Sequence, residues 1–179
     1  MRASVAARGF EASTFDQVAR AAGVSRGLLH YYFGTKERLL VEAVALDFEI
    51  RHQRLDRAMA GANTLDEVLA ALIKTFEDII GEGPSQEVMF FEVLTLAQRN
   101  HEIAAQLADV GKRMRIYLAD ALRERVEAGA LTLRTDAETA AGFLLTLADG
   151  LTIRILSEPD FDIGPLMRQS VAAARALLG

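Results

Sequence analysis

Residues 14–36 read TFDQVARAAGVSRGLLHYYFGTK. The stretch divides into two short helices around a glycine. Thr14 is a helix N-cap, and Gln17, three residues on, can reach back to it. Phe15, Val18, Ala19 and Ala22 recur at helical spacing and give a first helix, Thr14–Ala21, one apolar face. Gly23 ends it, because glycine adopts the left-handed conformation that helix C-termini favour. Ser25 then caps a second helix, Arg26–Tyr32. Leu29 and Phe33, four apart, turn inward. Arg26, Gly27, Leu28, His30, Tyr31 and Tyr32 are left to face elsewhere, a poor composition for a core helix. A helix, a glycine turn and a second helix that shows polar and aromatic groups make the layout of a DNA-reading helix-turn-helix.

The longer run ARGFEASTFDQVARAAGVSRGLLHYYFGTKERLL resembles the DNA-binding domain of TetR-family transcriptional regulators. The resemblance is carried by Gly9-Phe10, Thr14, Val18-Ala19, Ala22-Gly23-Val24-Ser25, Tyr31-Tyr32-Phe33, Lys36-Glu37 and Leu39-Leu40, at fixed offsets over about the first quarter of the chain. It implies a three-helix head, residues 1–45, on an effector-binding and dimerisation domain, residues 46–179. Relative to the family pattern the chain starts partway through the first helix, whose end is residues 1–9. Val5 and Ala6 are expected to cover the helix-turn-helix. The short first helix keeps a second reading open, that of a helical small-molecule-binding protein that does not bind DNA.

The totals agree with a globular all-α chain. Of 179 residues, 51% are hydrophobic; there are three prolines, no tryptophan and no cysteine. Zero cysteines exclude disulfides, thiolate nucleophiles and cysteine-based zinc sites. No uninterrupted apolar segment is long enough to span a bilayer and there is no signal-peptide layout, so a cytoplasmic location is expected. The net charge of −5 looks wrong for a DNA binder. Its distribution answers part of this. Residues 1–45 carry six basic and four acidic side chains, a net of +2, whereas the other 134 carry 14 basic and 21 acidic, a net of −7.

Past the head the pattern continues as helices, about nine in all. Thr35 caps a long one from Lys36 to about Met59, apolar early (Leu39, Leu40, Ala43, Val44, Ala45, Phe48) and solvated later. Thr64 and Glu67 form a capping box for the next, which Gly81–Pro84 breaks. A helix over about 85–98 is apolar around most of its circumference and is expected to be buried. A long one over about 102–128 presents a stripe from Ile103 to Val126. The last two run over about 136–157 and 162–178.

Three sets of residues could carry function. At DNA, Arg26 can pair with guanine or clamp a phosphate, Leu28 can meet a thymine methyl, and His30 and Tyr31 can reach bases or phosphates. Gly27 allows close approach, and Thr14, Ser25, Tyr32 and Lys36 are placed for the backbone. For Tyr31 and Tyr32 the alternative is packing inside a small domain. In the body, Phe76, Met89, Phe90, Phe91, Met114 and Tyr117 lie on three helices that the resemblance wraps around a small-molecule effector, with Glu92, Arg99, His101 and Arg113 as polar anchors; the alternative is ordinary core. The last two helices, paired with a second copy, would make a four-helix bundle, so a homodimer on a palindromic double-stranded operator is implied. Enzyme chemistry finds little footing. Glu49 and His52 have a metal-ligand spacing, but a di-iron bundle needs two such motifs and two further glutamates. No cofactor, metal or membrane partner is expected. The resemblance implies a repressor released from its operator by the effector.

Overall fold

The structure is a computed structural model that describes residues 1–83 and 85–179, so Pro84 of the predicted breaker lies outside the described residues. Among the described residues there are nine helices and no strand. They are α1 (Arg2–Arg8), α2 (Phe15–Ala22), α3 (Arg26–Phe33), α4 (Lys36–Met59), α5 (Leu65–Gly81), α6 (Ser85–Ala97), α7 (His101–Glu127), α8 (Ala137–Ser157) and α9 (Ile163–Leu178).

Local signals set the boundaries. Thr14 and Gln17 make both halves of the capping box at α2, and Gly23 closes that helix at φ 68°, ψ 25°. Thr64 and Glu67 do the same before α5, the Thr64 N–H donating to Glu67 Oε2 at 3.0 Å and the Glu67 N–H to Thr64 Oγ1 at 3.2 Å. The N–H of Asn63 adds a bond to the same carboxylate. These donors hold the Glu67 carboxyl below its usual range, the Asn63 N–H contributing most. Asp136 and Asp162 cap α8 and α9.

The chain folds as two compact units. The first comprises Met1–Ile50 and Glu82–Gly111. Its main cluster joins Val5 and Phe10 to Leu40, Val41 and Val44 of α4, Met89 and Val93 of α6, and Ile103 of α7. A smaller cluster, Val18, Ala19, Leu29 and Leu39, seats α2 and α3 on the start of α4. The second unit comprises Arg51–Gly81 and Lys112–Gly179, around Leu55, Met59, Val68, Leu69, Leu118, Leu122, Ala140, Ala141 and Leu144. Compactness therefore groups α6 and the start of α7 with the head. The functional division between residues 45 and 46 is a separate matter and remains a proposal.

Several expectations about faces are corrected. Ala6 is exposed, so Val5 alone of that pair is buried. On α6 Met89 and Val93 are fully buried whereas the other large apolar side chains are half-buried, so the helix lies against its unit along one stripe. Val126 is exposed because α7 has reached its last turn there. Among the described residues one helix, α8, is long and apolar enough to cross a membrane by length and composition, with a mean hydropathy of 1.4 over 18 residues. Asp149 interrupts that run in the sequence, and Ala140, Ala141, Leu144 and Leu151 of the same helix are buried in the second unit.

One tie in this unit has no periodic signature. Arg125 of α7 donates from Nη2 to the Met59 carbonyl and from Nε to the Ala62 carbonyl, both at 2.7 Å, and from Nη1 to its own helix at Ala121. It thereby bonds the last carbonyl of α4, which also accepts the Ala62 N–H, and a carbonyl of the loop that follows. Arg125→Ala is expected to lower the free energy of unfolding by about 2 kcal/mol. Arg125→Lys should recover only part, since an ammonium lacks the planar fork; urea denaturation followed by circular dichroism measures both.

Candidate DNA-reading helix and effector pocket

The short α3 is held by its caps and by one buried side chain. The Leu28 N–H donates to Ser25 Oγ at 3.1 Å, and Leu29 alone on the helix is buried. At the other end the His30 ring lies 4.4 Å from Phe15, and its Nδ1 is 3.1 Å from the Gly34 carbonyl, to which it can donate as the Nδ1–H tautomer. The face left over is apolar and aromatic. Tyr31 is 82% exposed, Tyr32 67% and Leu28 44%, and the two phenol rings meet edge to face at 5.3 Å. Packing inside the domain does not account for these rings. Gly27 points the same way. A Cβ there would meet only Ser25 Oγ at 4.0 Å, so no internal contact requires a glycine whose place in a helix costs about 1 kcal/mol.

Charged residues around this face are already engaged. Arg26 Nη1 lies 3.2 Å from Asp16 Oδ2, both side chains being more than half exposed. Such a pair contributes little stability and can open toward a phosphate or a base. Thr14 and Ser25 accept helix N–H bonds, which leaves each hydroxyl hydrogen able to donate outward.

Lys36 differs from its expected placement at a phosphate. Its Nζ donates to the carbonyls of Phe10 at 2.9 Å and Glu11 at 3.2 Å, and it lies 4.1 Å from the centroid of the Phe10 ring. From the other side, Glu92 of α6 accepts the Phe10 N–H at 3.3 Å, and Ser13 Oγ donates to the Gly9 carbonyl at 2.8 Å. The α1–α2 turn that precedes the reading unit is thus clamped by side chains from α4 and α6. Lys36→Gln is expected to cost the turn about 1–2 kcal/mol; faster hydrogen exchange of the Ser13 amide, which bonds the Phe10 carbonyl, would register it.

The second unit contains an apolar pocket, with space of about 110 Å³, that is open to solvent on one side. Its walls come from α5 (Leu69, Leu72, Ile73, Phe76), α8 (Leu144, Leu145, Leu147, Ala148, Leu151) and α9 (Met167, Ser170, Val171, Ala174), with Leu118 of α7. No charged residue lines it. Of the six residues expected around an effector, Phe76 is in this wall. Met89 has no exposed surface and packs inside the first unit, where Phe90 also stands, edge to face with Phe48 at 5.7 Å and with Phe91 at 6.0 Å. Met114 and Tyr117 belong to the second unit but not to this wall. Among the polar candidates, Glu92 is the clamp described above, and Arg99, His101 and Arg113 are exposed.

Tyr117 has a polar setting of its own. Its ring centroid is 3.6 Å from that of His52, and its hydroxyl donates to Asp56 Oδ1 at 3.3 Å. Burial, helped by the Asp56 charge, pushes the phenol up to about 12. The folded state thus favours the neutral phenol. The stability this contributes is fully present below about pH 10, the unfolded value, and is lost as pH rises toward 12. Subtracting the 295 nm alkaline titration of Tyr117→Phe from that of the wild type should isolate an ionisation near pH 12. Among the described residues, no three His, Asp or Glu side chains converge on a metal-sized site.

Comparison with known proteins matches both parts of the chain. Residues 2–43 match the family described as bacterial regulatory proteins, tetR family, and residues 66–178 match the BetI-type transcriptional repressor C-terminal family. The HTH-type transcriptional regulator BetI of Rhizobium meliloti is 34% identical over 148 residues, covering 82% of this chain and 70% of that protein. TtgR of Pseudomonas putida, also an HTH-type transcriptional regulator, is 26% identical over 164 residues, covering 86% and 75%. Among solved structures, the transcriptional regulator FadR of Bacillus subtilis in complex with stearoyl-CoA superposes with a TM-score of 0.77 at 20% identity, over 97% of this chain and 92% of that one. A TetR transcription regulator of Haloarcula marismortui does so with a TM-score of 0.78 at 21% identity, over 98% and 93%. The chain belongs to the TetR family of bacterial regulatory proteins, and it is a DNA-binding transcriptional regulator of the repressor type.

Proposed function

We propose that the protein is a cytoplasmic homodimer, without catalytic activity, that holds a palindromic operator and leaves it when a small molecule binds in its second unit. The observation that carries this reading is the outer face of α3, where a capped helix exposes Leu28, Tyr31 and Tyr32 around a glycine that nothing in the domain requires. Arg26, Gly27, Leu28, His30 and Tyr31 read the groove. Thr14, Ser25 and Tyr32 hold the phosphates, and Lys36 braces the turn behind them.

One such head reads few bases, and two on a two-fold axis, about 34 Å apart, read a palindrome. Exposed Ile153 of α8 and Leu166 and Leu177 of α9 support pairing through the last two helices. Repression and release are then one coupled equilibrium. The operator selects the head separation that fits successive turns of DNA, and the effector selects another, transmitted along α4, which contributes residues to both units. Each ligand weakens the other by the same factor.

The test is a mobility-shift titration of the palindrome nearest the gene, repeated across salt concentrations. Specific binding with a steep salt slope supports the reading. A protein that binds a small molecule yet shows no preference for any palindrome would support a non-DNA-binding role.

A further inference from the structure

We infer that α3 reads its operator half-site chiefly through thymine methyl groups, contacted by Leu28 and Tyr31 beside a single guanine taken by Arg26. This deepens the operator-reading part of the proposed function and rests on it.

The side-chain inventory of the helix carries the inference. Adenine is read bidentately by Asn or Gln, and cytosine by Asp or Glu accepting from its amino group. The sequence of α3, RGLLHYYF, contains none of the four. Arg26 is its one arginine, and that fork fits one guanine. Polar groups close by are committed locally. Gln17 of α2 uses its Oε1 on the Thr14 N–H, and a bidentate amide pair with adenine needs that oxygen. The His30 ring lies against Phe15 with Nδ1 at the Gly34 carbonyl, so at most Nε2 reaches outward, for one bond instead of two.

What remains on the outer face is apolar. Leu28 and Tyr31 are three apart and share that face, and Gly27, four before Tyr31, borders it. Leu28 is 44% exposed and Tyr31 82%, and the Tyr32 ring supports the Tyr31 ring edge to face at 5.3 Å. In the major groove the apolar group on a base edge is the C5-methyl of thymine. A leucine pressed against any other edge strips water from donors and acceptors without replacing their bonds, which costs affinity. Against a methyl it removes apolar surface from water on both sides. The missing Cβ of Gly27, for which the domain gives no reason, lets this face approach the groove closely.

The test begins with the full chain selecting operators from a pool of random-sequence duplexes. The recovered half-sites are expected to hold thymines next to one guanine. Replacing those thymines by deoxyuridine removes only the methyl groups. Each methyl lost should weaken binding about 4-fold, and about 16-fold when the same position is changed in both half-sites. Deoxyuridine outside the half-sites should change nothing. Leu28→Ala, at an exposed position, should bind thymine and deoxyuridine operators with nearly equal affinity at the position it covers, and Tyr31→Ala should do so at the other. The wild-type comparison stands by itself should either variant bind too weakly to measure. Wild-type affinity unchanged by deoxyuridine within the half-sites would overturn the inference and leave operator binding intact, as would half-sites without thymine. Full methyl sensitivity in both variants would overturn the assignment to Leu28 and Tyr31. Recovery of no duplex would remove operator reading itself, and this inference with it.

Discussion

Leu118→Ala will remove about 2–5 kcal/mol of folding stability, more than any other substitution considered above. Leu118 has no exposed surface and packs in the central cluster of the second unit with Leu69, Leu122, Ala140 and Leu144. Truncation forfeits the transfer free energy of the lost carbons and leaves a hole that helices can close only in part. The same side chain is the floor of the apolar cavity. The hole therefore opens into existing space instead of forming a sealed void, which sets where in the range the loss falls. Relief by neighbours moving into the cavity would place it near 2 kcal/mol, and a rigid wall near 5. Urea denaturation measures the loss. A loss well under 1 kcal/mol would mean that the floor is supplied by other side chains.

Arg26→Ala will leave the melting temperature nearly unchanged and cut operator affinity severely. Among the described residues the partner of Arg26 is Asp16, across an exposed ion pair of the kind worth little to folding. On DNA an arginine paired to guanine is worth about 1–3 kcal/mol. In the proposed dimer the contact occurs twice, so the operator complex should lose roughly 2–6 kcal/mol. Asp16→Asn separates the two roles of the pair. It frees the guanidinium and removes a negative charge, so it should raise affinity for any duplex. In the Arg26→Ala background that same change should act on specific and non-specific DNA alike. An Arg26→Ala protein with full operator affinity would place base reading on Leu28, His30 or Tyr31.

What could be read in the sequence was what is decided within four residues. Thr14 with Gln17, Thr64 with Glu67, Ser25, Asp136 and Asp162 are each capping signals closed by bonds to the next turn. Gly23 ends α2 because its conformation is a local property. For the same reason the limits of α4, Lys36–Met59, agree with the expected helix. The exposed face of α3 followed from the same logic, since an eight-residue helix with one inward pair must leave the rest outside.

What the sequence did not show was what a face meets. Periodicity marks Met89 and Phe90 as apolar-faced, but cannot say whether the space opposite is a neighbour or a void. Here it is a neighbour, because α6 lies against α1 and α4. Lys36 looked like a phosphate ligand from its place at a helix N-terminus, and its ammonium instead reaches carbonyls 25 and 26 residues away. Arg125 carried no signal at all, although it ties down the end of α4 across more than 60 residues.

For this protein, then, the sequence by itself determined the helices of the described residues, their caps and the outward-facing α3, all products of hydrogen bonds and side-chain spacing inside single turns. Only the tertiary structure decided that the clamp on the α1–α2 turn comes from Lys36 and Glu92, and that the cavity opens beside Phe76 instead of Phe90. A clamp and a cavity are relations among helices far apart in the chain: one exists where distant polar groups come within bonding distance, the other where distant side chains fall short of filling the space between them.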